Sequence, residues 1–294
     1  MTSSSGSQWT VRKVVQSVLK HAFLIVMAVI SIYPVLWVVS TAFTPGETLA
    51  TGWHFVLGFL PLPNSPTIDH FTSVLHLQVT GGTFADWLRN SLVITVSTVI
   101  ASVALTLPAG YAFSRRVFPG RAGIMFSFLL PSMFPGVVTI IPQFLIFSTF
   151  GLVNTYLGCI IPYTVGSFAL SIFIMKGAFD SVPRDLDEAA MIDGASELRA
   201  FWQILVPLTL PSIATVSLWA FMGSWLDFAL AHVMLQSNNL WTLPLALYSL
   251  ITPTYTYYGT FSAMSLIMAV PVFVVFMIFQ KYLVTGLTAG SVKG

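Results

Sequence analysis

Long apolar stretches without a single charge, separated by short polar intervals, set the pattern of this chain. Between Lys20 and Glu47 no Asp, Glu, Lys or Arg occurs, and Phe, Leu, Ile, Val and Trp prevail. Such a run crosses a hydrocarbon core of about 30 Å at about 1.5 Å per residue. A cleaved signal peptide would share the basic start at Arg12, Lys13 and Lys20, but its apolar region spans only about 7–15 residues, so an uncleaved first helix is expected. Asn90 to Ser114 is a second charge-free run and Ala122 to Met175 a third. As one helix the third would be more than twice as long as a bilayer is thick, so it reads as two, broken where Gly151-Leu-Val-Asn154 interrupts the apolar pattern. Pro207 to Leu235 supplies a fifth span and Gly259 to Gln280 a sixth. The expected fold is all-α and polytopic, with six transmembrane helices. Its parts are an N-terminal segment 1–20, a first span 21–43, an outer loop 44–85, a five-helix core 86–281 containing a polar loop 181–206, and a tail 282–294.

Six crossings put both termini on one side of the membrane, and the basic residues say which. Arg12, Lys13, Lys20, Arg115, Arg116, Arg121, Lys176, Arg184, Arg199, Lys281 and Lys293 fall in the terminal segments or in the loops after the second and fourth spans; only Arg89 falls on the other face. By the positive-inside rule both termini are cytoplasmic. Composition agrees with a membrane protein: 56% of the residues are hydrophobic and 7% charged, against about one quarter charged in soluble domains. A net charge of +2, spread as single residues and pairs, leaves no footprint for nucleic acid. The one cysteine, Cys159, cannot form an intrachain disulfide.

The loop between the fourth and fifth spans is the most informative. Pro183 suits the first turn of a helix, and Asp185, Asp187 and Glu188 sit where the positive end of its dipole favours acids. Gly194 stops that helix. Ser196 then caps a second short one, in which Leu198, Phe201, Trp202 and Leu205 recur on one apolar face. A surface helix resting on lipid would carry Lys and Arg on its polar side, whereas Asp180, Asp185, Asp187, Glu188, Asp193 and Glu197 here oppose only Arg184 and Arg199. The expected cover is a protein with a basic-lined groove, approaching the small residues Ala189 and Ala190 closely. On the outer face, the segment from Gln236 to Tyr258 holds Trp241, Tyr248, Tyr255, Tyr257 and Tyr258. These rings suit both an aromatic belt against membrane lipid and a docking surface for an extracytoplasmic partner.

Glu188-Ala-Ala-Met-Ile-Asp-Gly-Ala195 followed by Ile204-Leu-Val-Pro207 resembles the EAA loop of permease subunits of ATP-binding-cassette importers. Three stretches narrow the likeness to the carbohydrate-uptake group, and within it to the MalG-type maltose permease: Ala109-Gly-Tyr-Ala-Phe-Ser-Arg-Arg-Val-Phe-Pro-Gly120, Gln143 to Gly151, and the tail Gly286 to Gly294. The resemblance implies a type I importer permease (MetI-like) fold in a bacterial or archaeal cell (inner) membrane. It implies three partners: a second, MalF-type permease, a homodimeric cytoplasmic ATPase of the MalK type, and an extracytoplasmic sugar-binding protein. Glu188, Ala189, Ala190, Asp193, Gly194, Ala195 and Leu198 would then couple to the ATPase, and Gly286, Leu287, Thr288, Ala289 and Gly290 would contact it through the tail. Maltose, maltodextrin, trehalose and other oligosaccharides all remain open as cargo.

This chain carries no phosphate-binding Gly-x-x-x-x-Gly-Lys-Ser/Thr loop, no His-Glu-x-x-His pair and no Cys/His metal spacing. It is therefore expected not to be an enzyme and to hold no cofactor, with ATP and magnesium on the partner ATPase. His232, near the end of the fifth span, reads as a packing histidine. Asp227 is the one acid inside an expected span, in Trp225-Leu-Asp-Phe, where relatives often have Trp-Asn-Asp. Burying it costs at least ~2.5 kcal/mol, so it should face a partner, a cavity or the pore, or be hydrogen-bonded between helices. Trp225 and Asp227 are the candidates for the substrate path, with the Ser and Thr residues of spans two and five as weaker ones. An ion-coupled secondary transporter is the alternative, but it would want more intramembrane charge and a duplicated half. A membrane scaffold would not need the acidic loop.

Overall fold

The structure, a computed structural model, describes residues 5–47, 65–79, 81–252 and 256–289, with side-chain surroundings for 13–47, 65–79, 81–252 and 256–282. In chain order its elements begin with α1 (Ser5–Phe43), α2 (Asp69–Leu75), a hairpin of β1 (Gln78–Val79) and β2 (Gly82–Thr83), and α3 (Phe84–Arg115). Next come α4 (Arg121–Leu129), α5 (Gly136–Thr149) and α6 (Leu157–Ser181). The polar loop contributes α7 (Asp185–Ile192), α8 (Glu197–Ala200), a π turn at Phe201–Leu205 and α9 (Val206–Leu208). The chain closes with α10 (Leu210–Trp225), α11 (Ala229–Met234), α12 (Leu243–Tyr248) and α13 (Tyr258–Ala289).

Among the described residues α1, α3, α6 and α13 are each long and apolar enough to cross a membrane, and six crossings result if each of two bent helix pairs counts as one. The expected third span is the first pair, with 101° between Arg121–Met133 and Gly136–Thr149. Its hinge contains Pro131 and Pro135, which have no N–H to carry a helix through. The expected fifth span departs more. It starts at a 76° bend between Glu197–Leu208, most of which belongs to the polar loop, and Leu210–Trp225, and its outer part breaks at Leu226–Phe228 before α11. A charge-free run reports what solvent the chain avoids, not whether the helix axis is continuous. At the ends, α1 begins at Ser5, well inside the expected N-terminal segment, and α13 carries the backbone to Ala289, through most of the expected tail. Residues 48–64 of the outer loop, Tyr255 and Gly290 lie outside the described residues.

Two compact units are distinguished by their internal packing: residues 1–74 with 250–267, and residues 75–249 with 268–294. In the first, the Glu47 carboxylate accepts the backbone N–H of Thr260 at 3.0 Å and lies 3.3 Å from His70 Nδ1, while His70 Nε2–H donates to the Thr44 carbonyl at 2.8 Å. Gly259 is required there, because a Cβ would fall 2.3 Å from the His70 ring.

In the second unit α3 packs along α6 and α10. It starts from a capping box: Thr83 Oγ1 accepts the Asp86 N–H at 3.3 Å and the Asp86 carboxylate accepts the Thr83 N–H at 3.2 Å. Gly110 lets α3 and α6 touch, since a Cβ would sit 2.6 Å from Met175 Cβ. Where α3 ends, Leu107, Met175, Phe179, Val182, Phe201, Leu205 and Val216 form one core; where it begins, Ile94 and Cys159 pack with α11 and α12 residues in another.

Candidate functional site

The polar loop between α6 and α10 folds from local rules. Three acids, Asp185, Asp187 and Glu188, occupy the first turn of α7. At the other end Gly194 takes φ +86°, its N–H bonds to the Met191 carbonyl at 3.1 Å, and the Ala195 N–H bonds to the Ala190 carbonyl at 2.9 Å. This pair of bonds is a Schellman stop, and its left-handed residue is the reason for glycine. Space is not the reason, because a Cβ at Gly194 would meet nothing within 4 Å. Ser196 then accepts the Arg199 N–H at 3.3 Å and starts α8.

The apolar stripe expected on the second helix is divided. Phe201 and Leu205 are 6% and 1% exposed and join the core with Phe179 and Met175, whereas Leu198 and Trp202 are 68% and 55% exposed. The cause is the π turn, in which the Val206 N–H reaches back five residues to the Phe201 carbonyl. That widened turn, placed just before Pro207, departs from the period of 3.6 on which a single face depends. Glu188, Ala189, Asp193 and Leu198 are exposed, Ala195 is half-buried, and Ala190 is buried within the chain, so the expected small-residue patch reduces to Ala189.

The charge of the loop also differs from its sequence count. Asp187 Oδ2 lies 2.7 Å from Arg115 Nε in a pair only 17% and 8% exposed, and Arg115 Nη2 donates to the Val182 carbonyl at 2.9 Å. Glu197 is paired with Arg116 and accepts the Tyr111 hydroxyl at 2.7 Å. Asp180 is paired with Lys176 and accepts the Ser114 hydroxyl at 2.6 Å. Among the described residues Asp185, Glu188 and Asp193 make no side-chain ion pair or hydrogen bond, and Arg184 and Arg199 are exposed on the same loop. The expectation of a strongly acidic face seeking a basic groove is therefore corrected: Arg115 and Arg116, remote in sequence, pair two of the six acids, and Lys176, four residues away on α6, pairs a third. What remains open is an apolar ridge of Leu186, Met191, Ile192, Leu198 and Trp202. Between the paired residues lies a groove of about 230 Å³, lined by Tyr111, Arg115, Arg116, Arg184, Glu188 and Met191 among others.

At the opposite end of α3 a second polar assembly holds the segment leading to α12. Buried Asn90 donates through Nδ2 to the carbonyls of Asn239 at 2.8 Å and Trp241 at 2.9 Å, and its Oδ1 accepts the Tyr156 hydroxyl at 2.7 Å. Trp87 Nε1–H donates to the Asn238 carbonyl at 2.8 Å, and Ser91 Oγ accepts the Leu243 N–H at 2.8 Å. Asn154, at φ +61°, accepts the N–H groups of Gln236 and Ser237 at 3.0 and 2.9 Å. Trp241 packs near Trp87, and Tyr248 and His232 pack on the Phe228 ring. Of these residues the sequence marked Asn154 as a turn former, Trp241 and Tyr248 as outer-face rings and His232 as a packing group, but gave Trp87 and Asn90 no role as anchors. Arg115, Arg116 and Tyr111 did lie inside the quoted Ala109–Gly120 stretch, without a role.

Asp227 is not inside a helix. It sits in the break before α11, where its Oδ1 accepts the Tyr163 hydroxyl at 2.9 Å and the N–H groups of Leu230 and Ala231 at 3.0 and 3.3 Å. The carboxylate thus caps α11, which accounts for its depth without a ligand. Trp225 is buried, stacked on Phe221, with its indole N–H donating to the Met268 carbonyl at 3.1 Å. Thr215 and Ser224 bond carbonyls of their own helix, and Ser102 pairs with Ser167 across α3 and α6. Gly286 to Ala289 continue the helical backbone of α13. No cluster of three or more metal-ligating side chains occurs among the described residues.

Comparison with known proteins adds a second line of observation. The profile of a family described as "Binding-protein-dependent transport system inner membrane component" matches residues 104–289. The chain is 36% identical over 289 residues to the galactooligosaccharides transport system permease protein GanQ of Bacillus subtilis, covering 97% of this chain and 98% of that one. It is 34% identical over 283 residues to the maltodextrin transport system permease protein MdxG of the same organism, covering 96% and 98%. Its fold is similar to a chain in the crystal structure of a bacterial ABC transporter that imports the acidic polysaccharide alginate, with a TM-score of 0.77 and 24% identity, covering 96% and 99%.

Proposed function

Because this chain belongs to the family of inner membrane components of binding-protein-dependent transport systems, we propose that it imports an oligosaccharide of the maltodextrin or galacto-oligosaccharide kind as one half of an ATP-driven pore. The observation that carries this reading is the loop at the end of α3. It is a rigid, Gly194-terminated helical knuckle between two spans, pinned to the protein by Arg115 and Arg116, with Leu198 and Trp202 left bare. Bare apolar side chains on a polar, locally ordered loop need a protein cover.

A cytoplasmic ATPase of the MalK type, present as a homodimer, is that cover. Glu188, Ala189, Asp193, Gly194, Ala195 and Leu198 form or shape the contact, Ala190 packs the knuckle from within, and Gly286 to Gly290 reach the same partner. ATP and magnesium reside on the ATPase; this chain has neither a phosphate loop nor an enzymatic activity of its own. A related, MalF-type permease completes the pore, and an extracytoplasmic sugar-binding protein docks near the segment held by Asn90 and Asn154. Both termini lie in the cytoplasm, supported by the eleven basic residues on one face of the expected topology. Closure of the ATPase dimer moves the knuckle as a rigid body, and the pore exchanges inward for outward access. Trp225, whose indole N–H is taken by the Met268 carbonyl, packs the core, whereas Asp227 caps α11 through Oδ1 alone and, with Oδ2 uncommitted among the described residues, stands beside the substrate path.

Reconstitution tests the reading. The chain, its related permease, the ATPase and the binding protein are placed in proteoliposomes and offered labelled maltotriose, galactotriose and an alginate trisaccharide. Uptake of a neutral oligosaccharide that requires both ATP and the binding protein is expected. Uptake that persists on an ion gradient after ATP is removed, or purification from native membranes without any ATPase, overturns it.

A further inference from the structure

The loop is continuous in sequence with α6 and with α10 but not with α3, whose chain leaves Arg115 toward α4. Nevertheless the side-chain ties of the loop run to α3. Arg115 holds Asp187 on α7 at 2.7 Å and the Val182 carbonyl at 2.9 Å, at the junction of α6 with the loop. Its neighbour Arg116 holds Glu197 on α8, and Tyr111, one turn earlier, donates to the same Glu197 at 2.7 Å. The Tyr111 ring also packs edge-on against Phe179 of α6 and Phe201 of the π turn, with centroids 6.0 and 5.0 Å away. Both helices of the loop are thus fastened to the last turn of a helix they do not otherwise belong to. Two consecutive arginines at a helix C-terminus also complement its dipole.

The other end of that helix is fastened too. The first turns of α3 hold the carbonyls of Asn238, Asn239 and Trp241 through Trp87 and Asn90, and the N–H of Leu243 through Ser91. Between the two ends α3 is one helix of 32 residues, about 48 Å at 1.5 Å per residue, and Pro108, the one interior proline, falls two turns before Arg115, where the helix is packed along α6 and α10. Resting on the reading of the loop as the ATPase contact, we propose that α3 is the rod that carries the loop's displacement to the 236–243 segment on the opposite face, and that Arg115, assisted by Arg116, is the positioning residue that engages it. The Arg115–Asp187 pair is largely buried, with side chains 8% and 17% exposed. Water competes less for a largely buried pair than for the exposed Arg116–Glu197 pair, which adds a second, weaker tie. Intermediate position alone does not establish such a path; coupling between its ends does.

The test uses the complete importer in proteoliposomes, with Gln236→Cys as the reporter on the far segment; the natural Cys159 is buried. Maleimide labelling at position 236 is measured with and without ATP plus vanadate, alongside oligosaccharide taken up per ATP hydrolysed. In the otherwise unaltered chain the labelling rate should change about fivefold on closure, the lower end of ordinary coupling between sites. In Arg115→Met and in Asp187→Asn the nucleotide-dependent change should vanish while labelling without nucleotide stays as before, and uptake per ATP should fall about tenfold. Arg115→Lys, which keeps the charge, should restore part of both. If the Arg115 and Asp187 variants fail to assemble, the exposed pair decides. Glu197→Arg should blunt the response, and Arg116→Glu combined with Glu197→Arg should recover it. An Arg115→Met complex that assembles and responds fully overturns the proposal, as does a Glu197→Arg complex with an unchanged response. A reference complex that hydrolyses no ATP and moves no oligosaccharide fails at an earlier point, in the importer reading itself.

Discussion

Asn90 shows how much one buried side chain can organise. All of its strong hydrogen-bonding groups are used, two N–H donors on separate carbonyls and its oxygen on a tyrosine hydroxyl, in a helix otherwise rich in Val, Leu and Ile. Replacing it by alanine leaves the carbonyls of Asn239 and Trp241 and the Tyr156 hydroxyl short of partners, at about 1–3 kcal/mol for each group that water cannot reach. The expected outcome for Asn90→Ala is a lower unfolding temperature in detergent together with proteolysis concentrated between 236 and 242. A variant that unfolds at a lower temperature but is cut no faster in that segment contradicts the anchoring role. Asp227 offers the contrast. Its carboxylate invited a functional explanation when read as an acid in the middle of a span, and a helix cap in a break accounts for the same residue.

Elements fail or succeed at their ends. The stop of α7 was readable residue by residue, because acids gather at its start and a glycine stands where the chain must turn left-handed. Gly194→Ala forces a Cβ into φ +86°, at a cost of about 1–2 kcal/mol. The expected result is a frayed α7 and ATPase co-purification reduced by about tenfold, the factor that about 1.4 kcal/mol represents. Gly194→Asn should suffer less, because asparagine tolerates the left-handed region. Equal loss in both variants would point away from backbone conformation as the cause. The neighbouring helix was read less well. Periodicity placed Leu198, Phe201, Trp202 and Leu205 together, and the π turn separated them into a buried pair and an exposed pair. That exposed pair, with Ile192, is what a partner would meet.

For the whole molecule, pairing of charges across the fold changes how the protein should bind its neighbours. Counted along the chain, the loop is acidic; counted in space, Asp180, Asp187 and Glu197 are answered by Lys176, Arg115 and Arg116. Association with the ATPase through Leu198, Trp202 and Ile192 should then depend weakly on ionic strength. Raising salt shortens the screening length from about 10 Å at 0.1 M to about 3 Å at 1 M, and an affinity resting on exposed charges would collapse over that range. Titrating the ATPase against the reconstituted permease pair across it should show an affinity that holds or strengthens. A steep loss would restore the acidic face as the recognition element.

The apolar runs that became α1, α3, α6 and α13, and the start and stop of the loop helices, followed from local order alone. A lipid core excludes charge wherever the chain enters it, and caps depend on residues a few positions apart. The bends near Pro135 and Thr209, the division of the apolar stripe, and the tie between Arg115 and Asp187 did not follow. They depend on which distant segments come to lie side by side, as α3 and α6 do at Gly110, where the missing side chain permits the approach that sets the arginines beside the loop. Proximity of that kind is a property of the packed helices, and no window along the chain contains it.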